Sequence, residues 1–403
     1  MKVLILLISA SLYFCHSAHA ADTNIETITV VGSHLPPTFT MDRIPKISID
    51  AHDIASLAGY SFVDVLRGIA GIDIFEQGGT GGLTFLSIRG GDPNFVTIII
   101  DGVKVNDPTN SRGGAFDLGT IDPSVIEKID IFYGGFSTIF GSDALTGVIS
   151  VQTKSNTTEN LGTMSFKVTG NSTLGATAHI GTELMDQAKF NFTASLQDGD
   201  IGRFGDAFQR TEFIGSLKST SQESTHWHVS SFHAYGESQS FPEDSGGDRL
   251  AVIRTPEYRE FKQTNLSVLL QHELTGALEL NMQAAYSRRK EDISSQGIAP
   301  GILNPVPAID SYTDYERSDI AMVARYNCTS LSSLAFGINA TSENGGMNSF
   351  IDFGDRISAN YQMKRHGGAI FTEIGFSPMR EMLISAGFRY DKTDNMSVTV
   401  KRL

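Results

Sequence analysis

Few residues in this chain are spaced for chemistry. His226 and His228 stand two apart, which puts them on one face of a strand, a spacing able to hold a metal ion. His233 has the opposite parity, so no third ligand of the right geometry follows, and the pair reads as strand-face residues. Carboxylates gather in two polar stretches, at Asp198, Asp200 and Asp206 and at Glu243, Asp244 and Asp248. Hard cations prefer such oxygen ligands, yet neither spacing matches a defined calcium loop, and solvated loop charge accounts for both. The glycines of Gly78-Gly79-Thr80-Gly81-Gly82 would cradle a phosphate only if a helix followed and offered its amide end. Leu83 to Ile88 reads as strand, which rejects nucleotide binding. No nucleophile elbow, metalloprotease helix or Cys-x-x-Cys motif occurs, so the reading is of a protein that is not an enzyme.

One segment offers backbone chemistry instead. Glu26-Thr27-Ile28-Thr29-Val30-Val31 alternates in β-branched residues and is followed by Gly32-Ser-His-Leu-Pro-Pro, a short exposed strand on a leash. A free strand invites pairing with a partner by strand addition.

The surrounding elements follow from local signals. Met1-Lys2 and the apolar run Val3 to Phe14, roughly a dozen residues, form a secretion signal too short to span a bilayer, with Ala18-His19-Ala20 as the cleavage motif. From Pro45 to Gly82 the pattern is strand, helix, helix, strand: Asp50 can cap a helix to about Leu57, and Ser61 with Asp64 opens another. Asp122-Pro123 is a helix start leading into a strand from Ile129 to Tyr133. After about Ser155 the chain alternates in long segments. Met164, Phe166 and Val168 share one face, as do Leu278, Leu280, Met282, Ala284 and Tyr286, then Leu334, Phe336, Ile338 and Ala340, and finally Ile384, Ala386, Phe388 and Tyr390. A period of two sustained this long means sheet with one apolar and one polar face, a pattern that a membrane barrel shares with a soluble β-sandwich or solenoid. The net charge of −14 excludes a nucleic-acid partner.

Between Phe85 and Thr153 the chain carries Ile88-Arg89-Gly90, the hairpin Ile100-Asp101-Gly102-Val103 and the stretch Phe140-Gly-Ser-Asp-Ala-Leu-Thr-Gly-Val148. This order resembles the plug domain of TonB-dependent outer-membrane receptors, nearest to the cobalamin and siderophore receptors. The resemblance implies an α+β plug, a small mixed sheet with short helices, followed by an antiparallel transmembrane β-barrel. It divides the chain into a signal (1–20), a periplasmic leash (21–40), a plug (41–155) and the first part of a barrel (156–403). Glu26, Thr27, Ile28, Thr29, Val30 and Val31 become the box captured by TonB, and Arg89 a lock between plug and barrel wall. Gly79, Thr80, Asn106, Asp107, Asn110 and Arg112 become ligand contacts on apical loops. Acidic outer loops bind calcium in the cobalamin receptor resembled here, which makes Asp198, Asp200, Asp206, Asp244 and Asp248 calcium candidates; no other cofactor is implied. The chain departs from the family at Ala70, where proline is usual, and at Tyr133-Gly134-Gly135, where Arg-Gly-Pro is common.

The implied function is energised uptake of a large scarce ligand such as cobalamin or an iron–siderophore across the outer membrane. Plugged transporters have about 22 strands. The stretch after the plug, about 250 residues, holds ten or eleven of about ten residues each. The expectation is therefore an incomplete barrel. The alternative is a truncated or non-transporting remnant, or a surface protein that binds ligand without moving it.

Overall fold

The computed structural model describes residues 46–401, except 58–60, 78–80, 111–112, 142, 156–160, 170–172, 185–187, 200–205, 221–223, 243–244, 299–306, 353, 380–381 and 395–396. The expected signal, the leash and the strand Glu26 to Val31 lie outside the described residues.

Ten elements make an inner domain: β1 (Lys46–Asp50), α1 (Ala51–Ser56), α2 (Phe62–Arg67), β2 (Ile72–Gln77), β3 (Leu83–Ile88), β4 (Val96–Ile100), β5 (Val103–Lys104), β6 (Ile126–Tyr133), α3 (Ser137–Phe140) and β7 (Gly147–Thr153). Both helices after β1 start at capping boxes. Asp50 accepts from the amides of His52 and Asp53 while Asp53 reaches back, and Ser61 with Asp64 does the same. Each box satisfies amides that the first helical turn leaves without partners. The start at Asp122-Pro123 gives one 3-10 turn, Pro123–Val125, before the chain returns to strand at Ile126.

A mixed sheet of order β1-β6-β7-β4-β5, parallel only between β4 and β7, carries the core, and β2 pairs with β3 beside it. Apolar runs on its strands meet Phe62 and Leu66 of α2 in one cluster that includes Ile88, Ile98, Ile100, Leu118, Ile129, Ile131 and Ile149. Burial of each such side chain contributes about 1.5–3 kcal/mol. At the β4–β5 hairpin, Asp101 and Gly102 both have positive φ, 46° and 83°, the paired left-handed conformation that a two-residue Asp-Gly turn needs. Gly147 opens β7 where a Cβ would lie 2.6 Å from both Ile88 Cδ1 and the Phe132 carbonyl, so only glycine fits.

The wall consists of β8 (Leu161–Val168), β9 (Thr173–Leu184), β10 (Ala188–Gly199), β11 (Ala207–Ser219), β12 (Thr225–Ser240), β13 (Glu257–Thr275), β14 (Leu278–Ser295), β15 (Ala308–Thr329), β16 (Ser332–Asp352), β17 (Arg356–Met379), β18 (Met382–Thr393) and β19 (Ser397–Lys401). A short helix, α4 (Gly247–Leu250), lies between β12 and β13. Every neighbouring pair is antiparallel and sequential, and β17 pairs with both β18 and β19, which occupy one strand position. The described sheet thus has eleven positions and does not close: among the described residues β8 pairs only with β9, and β18 only with β17.

The connections 276–277 and 330–331 are short, whereas 241–256 and 296–307 at the opposite end are long. Alternation sorts the wall's faces as expected. Met164, Phe166 and Val168 point outward at 68%, 76% and 77% exposure, and Phe336, Ile338, Ile384, Phe388 and Tyr390 join this outer apolar band. The opposite parity is polar and buried against the inner domain: Thr193, Ser195, Gln263, Asn265, Ser267 and Ser287 all face it.

Candidate functional site

The chemistry of this molecule lies in the seam between the inner domain and the wall. Asp117 caps the 3-10 turn Leu118–Thr120: its Oδ1 accepts from the amides of Gly119 at 3.0 Å and Thr84 at 3.1 Å. Its Oδ2 accepts from Arg259 Nη1 of β13 at 2.5 Å. Arg259 also donates to the Gly81 carbonyl at 3.1 Å and to Ser238 Oγ at 3.3 Å. Both charged groups are buried, and Glu291 of β14 lies 3.9 Å from the same guanidinium nitrogen. Beside them Arg289 packs over the rings of Phe116 and Phe261 and pairs with Glu291 at 3.3 Å. The pair is charge-assisted, and the two amides on Asp117 Oδ1 help offset the cost of taking both charges out of water.

A second junction is the Asp101-Gly102 turn. Asp101 accepts from the amide of Thr153 at 2.9 Å and from its hydroxyl at 2.6 Å, tying β4 to the end of β7. The Asp101 carbonyl accepts from Ser267 Oγ of β13 at 2.9 Å, and the Gly102 carbonyl from Gln283 Nε2 of β14 at 2.6 Å. Burial pushes the Asp101 carboxyl up to about 6, against the two donors of Thr153 that favour its ionised form.

A third group lies against β15, β16 and β17. Glu343 accepts from the Tyr315 hydroxyl and from Arg317 Nη1, each at 2.7 Å, and also from Arg365. On the inner domain Lys104 pairs with Asp143. Burial and the field of Arg317 draw the Lys104 ammonium down, while Asp143 and Glu343 oppose that shift. The Tyr361 hydroxyl of β17 donates to the Thr109 carbonyl.

Three of the residues expected to contact ligand are engaged within their own loop. Asn106 holds the loop after β5 together: its Oδ1 accepts from the Ile98 amide at 2.8 Å and its Nδ2 donates to the carbonyls of Val96 and Gly114 at 3.0 Å each. Asp107 accepts from the amide and hydroxyl of Thr109, and Asn110 donates to the Asp107 carbonyl at 2.9 Å. All three side chains are buried, because a loop that leaves the sheet must still satisfy its backbone groups. They brace this loop from within. Gly79, Thr80 and Arg112 lie outside the described residues.

Arg89, expected at the wall, is exposed and sits over the Tyr133 ring at 4.9 Å. Its φ of 53° and the bond from its amide to the Gly71 carbonyl turn it onto the aromatic face that this chain has where the family commonly has arginine. Of the calcium candidates, Asp198 accepts from Gln209 at 3.3 Å and Asp206 is buried, while Asp200, Asp244 and the Asp248 side chain lie outside the description. Among the described residues the one cluster of three metal-type side chains is Asp50, His52 and Asp53, all exposed, with Asp50 occupied as a helix cap. His233 is on the outer face and contacts Thr264 at 3.2 Å, apart from His226 and His228.

Sequence reading missed Arg259, Asp117 and Glu343. A signal was present for the first: Arg259 shares parity with Gln263, Asn265 and Ser267, the polar face of a strand whose other face carries Leu266 and Val268.

Comparison with known proteins places these parts. The family described as TonB-dependent Receptor Plug Domain matches residues 43–148. The vitamin B12 transporter BtuB of Vibrio vulnificus (strain CMCP6) is 27% identical over 195 residues, which is 48% of this chain and 29% of that protein. Among solved structures, the ferric yersiniabactin uptake receptor FyuA from Yersinia pestis aligns with a TM-score of 0.71 at 12% identity, over 91% of this chain and 61% of that one. The ferric citrate transporter FecA aligns at 0.70 and 16% identity, over 93% and 60%. The chain therefore spans less than two thirds of the length of these relatives, and the structural likenesses establish the fold.

Proposed function

We infer that this chain, whose inner domain is a TonB-dependent receptor plug, serves in the outer membrane as a receptor for energised uptake of a large scarce ligand of the cobalamin or iron–siderophore class. One observation carries the reading: a folded plug, matching the family over 43–148, is seated against the polar face of a wall whose other face is an exposed apolar band. That outer face suits lipid, since transmembrane strands alternate apolar and polar residues.

Ligand would meet the plug on its loops around 78–82 and 106–116. The second of these is braced by Asn106, Asp107 and Asn110 and clamped to the wall through Thr109 and Asp117. The periplasmic partner is TonB, taking Glu26 to Val31 as an added strand, so that pulling on the leash acts on the seam. The relative named as a vitamin B12 transporter is the reason to test cobalamin first.

The direct test is uptake by cells that lack their own receptors and express this chain, using labelled cobalamin and a panel of ferric siderophores. Saturable accumulation of one class supports the reading, and none above vector background with protein present in the outer membrane removes it. Binding to whole cells without accumulation would instead mean a surface protein that holds ligand without moving it.

A further inference from the structure

Where the plug meets the first wall strands, five side-chain oxygen groups from four elements converge. Thr177 on β9, Ser195 on β10 and Glu212 on β11 are register partners across adjacent strands, so their side chains share the inward face. Asp122 and Ser124, at the 3-10 turn before β6, meet them. The hydroxyls of Ser124 and Thr177 are 2.8 Å apart, and those of Thr177 and Ser195 3.1 Å. Ser195 donates to Asp122 Oδ2 at 2.6 Å, and the Asp122 amide donates to Glu212 Oε1 at 2.9 Å.

Glu212 is 0% exposed, and its buried Oε2 takes no hydrogen bond. Buried polar atoms are nearly always partnered, and a carboxylate oxygen left bare is among the costliest exceptions. Arg210 Nε lies 3.6 Å from Glu212 Oε1 and makes no hydrogen bond of its own, while the terminal nitrogens are committed to the Gly119 carbonyl, at 2.5 Å, and to Gln197. Lys154 and Lys167 act on Asp122 through space, and neither supplies a hydrogen bond to Glu212 Oε2. The other seam carboxylate makes the contrast: Asp117 has both oxygens satisfied, one by two amides and one by Arg259. Ser124, Thr177, Ser195 and the two carboxylates supply oxygen, the ligand type hard cations select, beside the Arg210 guanidinium.

We propose that Asp122, Ser124, Thr177, Ser195 and Glu212 form a site for a small hard metal cation that ties the plug to the wall at β9, β10 and β11. The cation would satisfy Glu212 Oε2 and offset the two carboxylates, so plug seating on this side depends on it. Divalent and monovalent ions share this chemistry, and the experiment separates them.

The test is thermal unfolding of the full chain in detergent, with sodium, calcium or magnesium chloride titrated against N-methylglucamine chloride at constant ionic strength. For the wild type the midpoint should rise with one of these cations, by a few degrees per tenfold above its half-saturation. E212Q and S195A should each lose that dependence, while D117N, which disturbs a different seam contact, should melt lower yet keep it. If E212Q and S195A respond to the cation as the wild type does, the site is elsewhere and the proposal falls. It also falls if the wild type responds to no cation, or if lowering the pH stabilises it with no cation effect, since a proton then occupies the carboxylate pair.

Discussion

Arg259 of the wall and Asp117 of the plug form a buried ion pair 2.5 Å long, joining residues 142 apart in sequence. Both groups are hydrogen-bonded further: Asp117 also takes two amides, and Arg259 also holds the Gly81 carbonyl. The pair therefore fixes two plug loops, 81–84 and 117–120, to one wall strand.

Removing one partner leaves the other as a buried charge without its counter-ion. Arg259→Met or Asp117→Leu should cost about 3–5 kcal/mol of plug seating. The double substitution should cost less than the sum, because no bare charge remains. Urea unfolding followed by protease cleavage of the plug would measure all three. Additive losses would show that the two residues act independently.

The Asp101 carboxyl titrates at about 6 in the folded protein against an ordinary value of 3.8. A raised carboxyl favours folding while protonated, so its contribution is complete below about pH 4 and is lost as the pH rises through 6. The loss is at most about 3 kcal/mol. Asp101→Asn should flatten this part of the stability profile, which chemical denaturation from pH 4 to 7 would record. An unchanged profile would place the titration elsewhere.

Gly147 admits no side chain without moving Ile88 or the Phe132 carbonyl. Gly147→Ala should destabilise the plug by about 1–3 kcal/mol through overpacking. Ile88→Val, which removes the Cδ1 methyl that would clash, should restore part of that loss in the double variant. Gly90 has open space at its Cβ position, so any loss in Gly90→Ala would come from its positive φ alone.

Much of the fold was legible because its signals are local. Asp50 with Asp53, and Ser61 with Asp64, announce helix starts within four residues, and the structure begins α1 and α2 there. The alternation at Met164, Phe166 and Val168, or at Leu334, Phe336 and Ile338, needs no partner to be seen, since the strand itself imposes it. The seam was not legible. Asn106, Asp107 and Asn110 look like surface polar residues in sequence, and only the packing of Val96, Ile98 and Gly114 around them shows that they serve the backbone. For Arg89 too the contact is non-local: Tyr133, 44 positions along, lies under the guanidinium. Pairs such as Arg259 with Asp117 depend on register between two domains, which no local pattern carries.

The central claim is that a plug seated in this wall is worked by a partner that pulls on residues 26–31. Deleting residues 26–31 and measuring labelled-ligand binding and uptake in the same cells tests it most directly. The account predicts binding within about twofold of the intact chain, with uptake reduced to background. Uptake that survives the deletion, or binding lost together with it, would contradict the account.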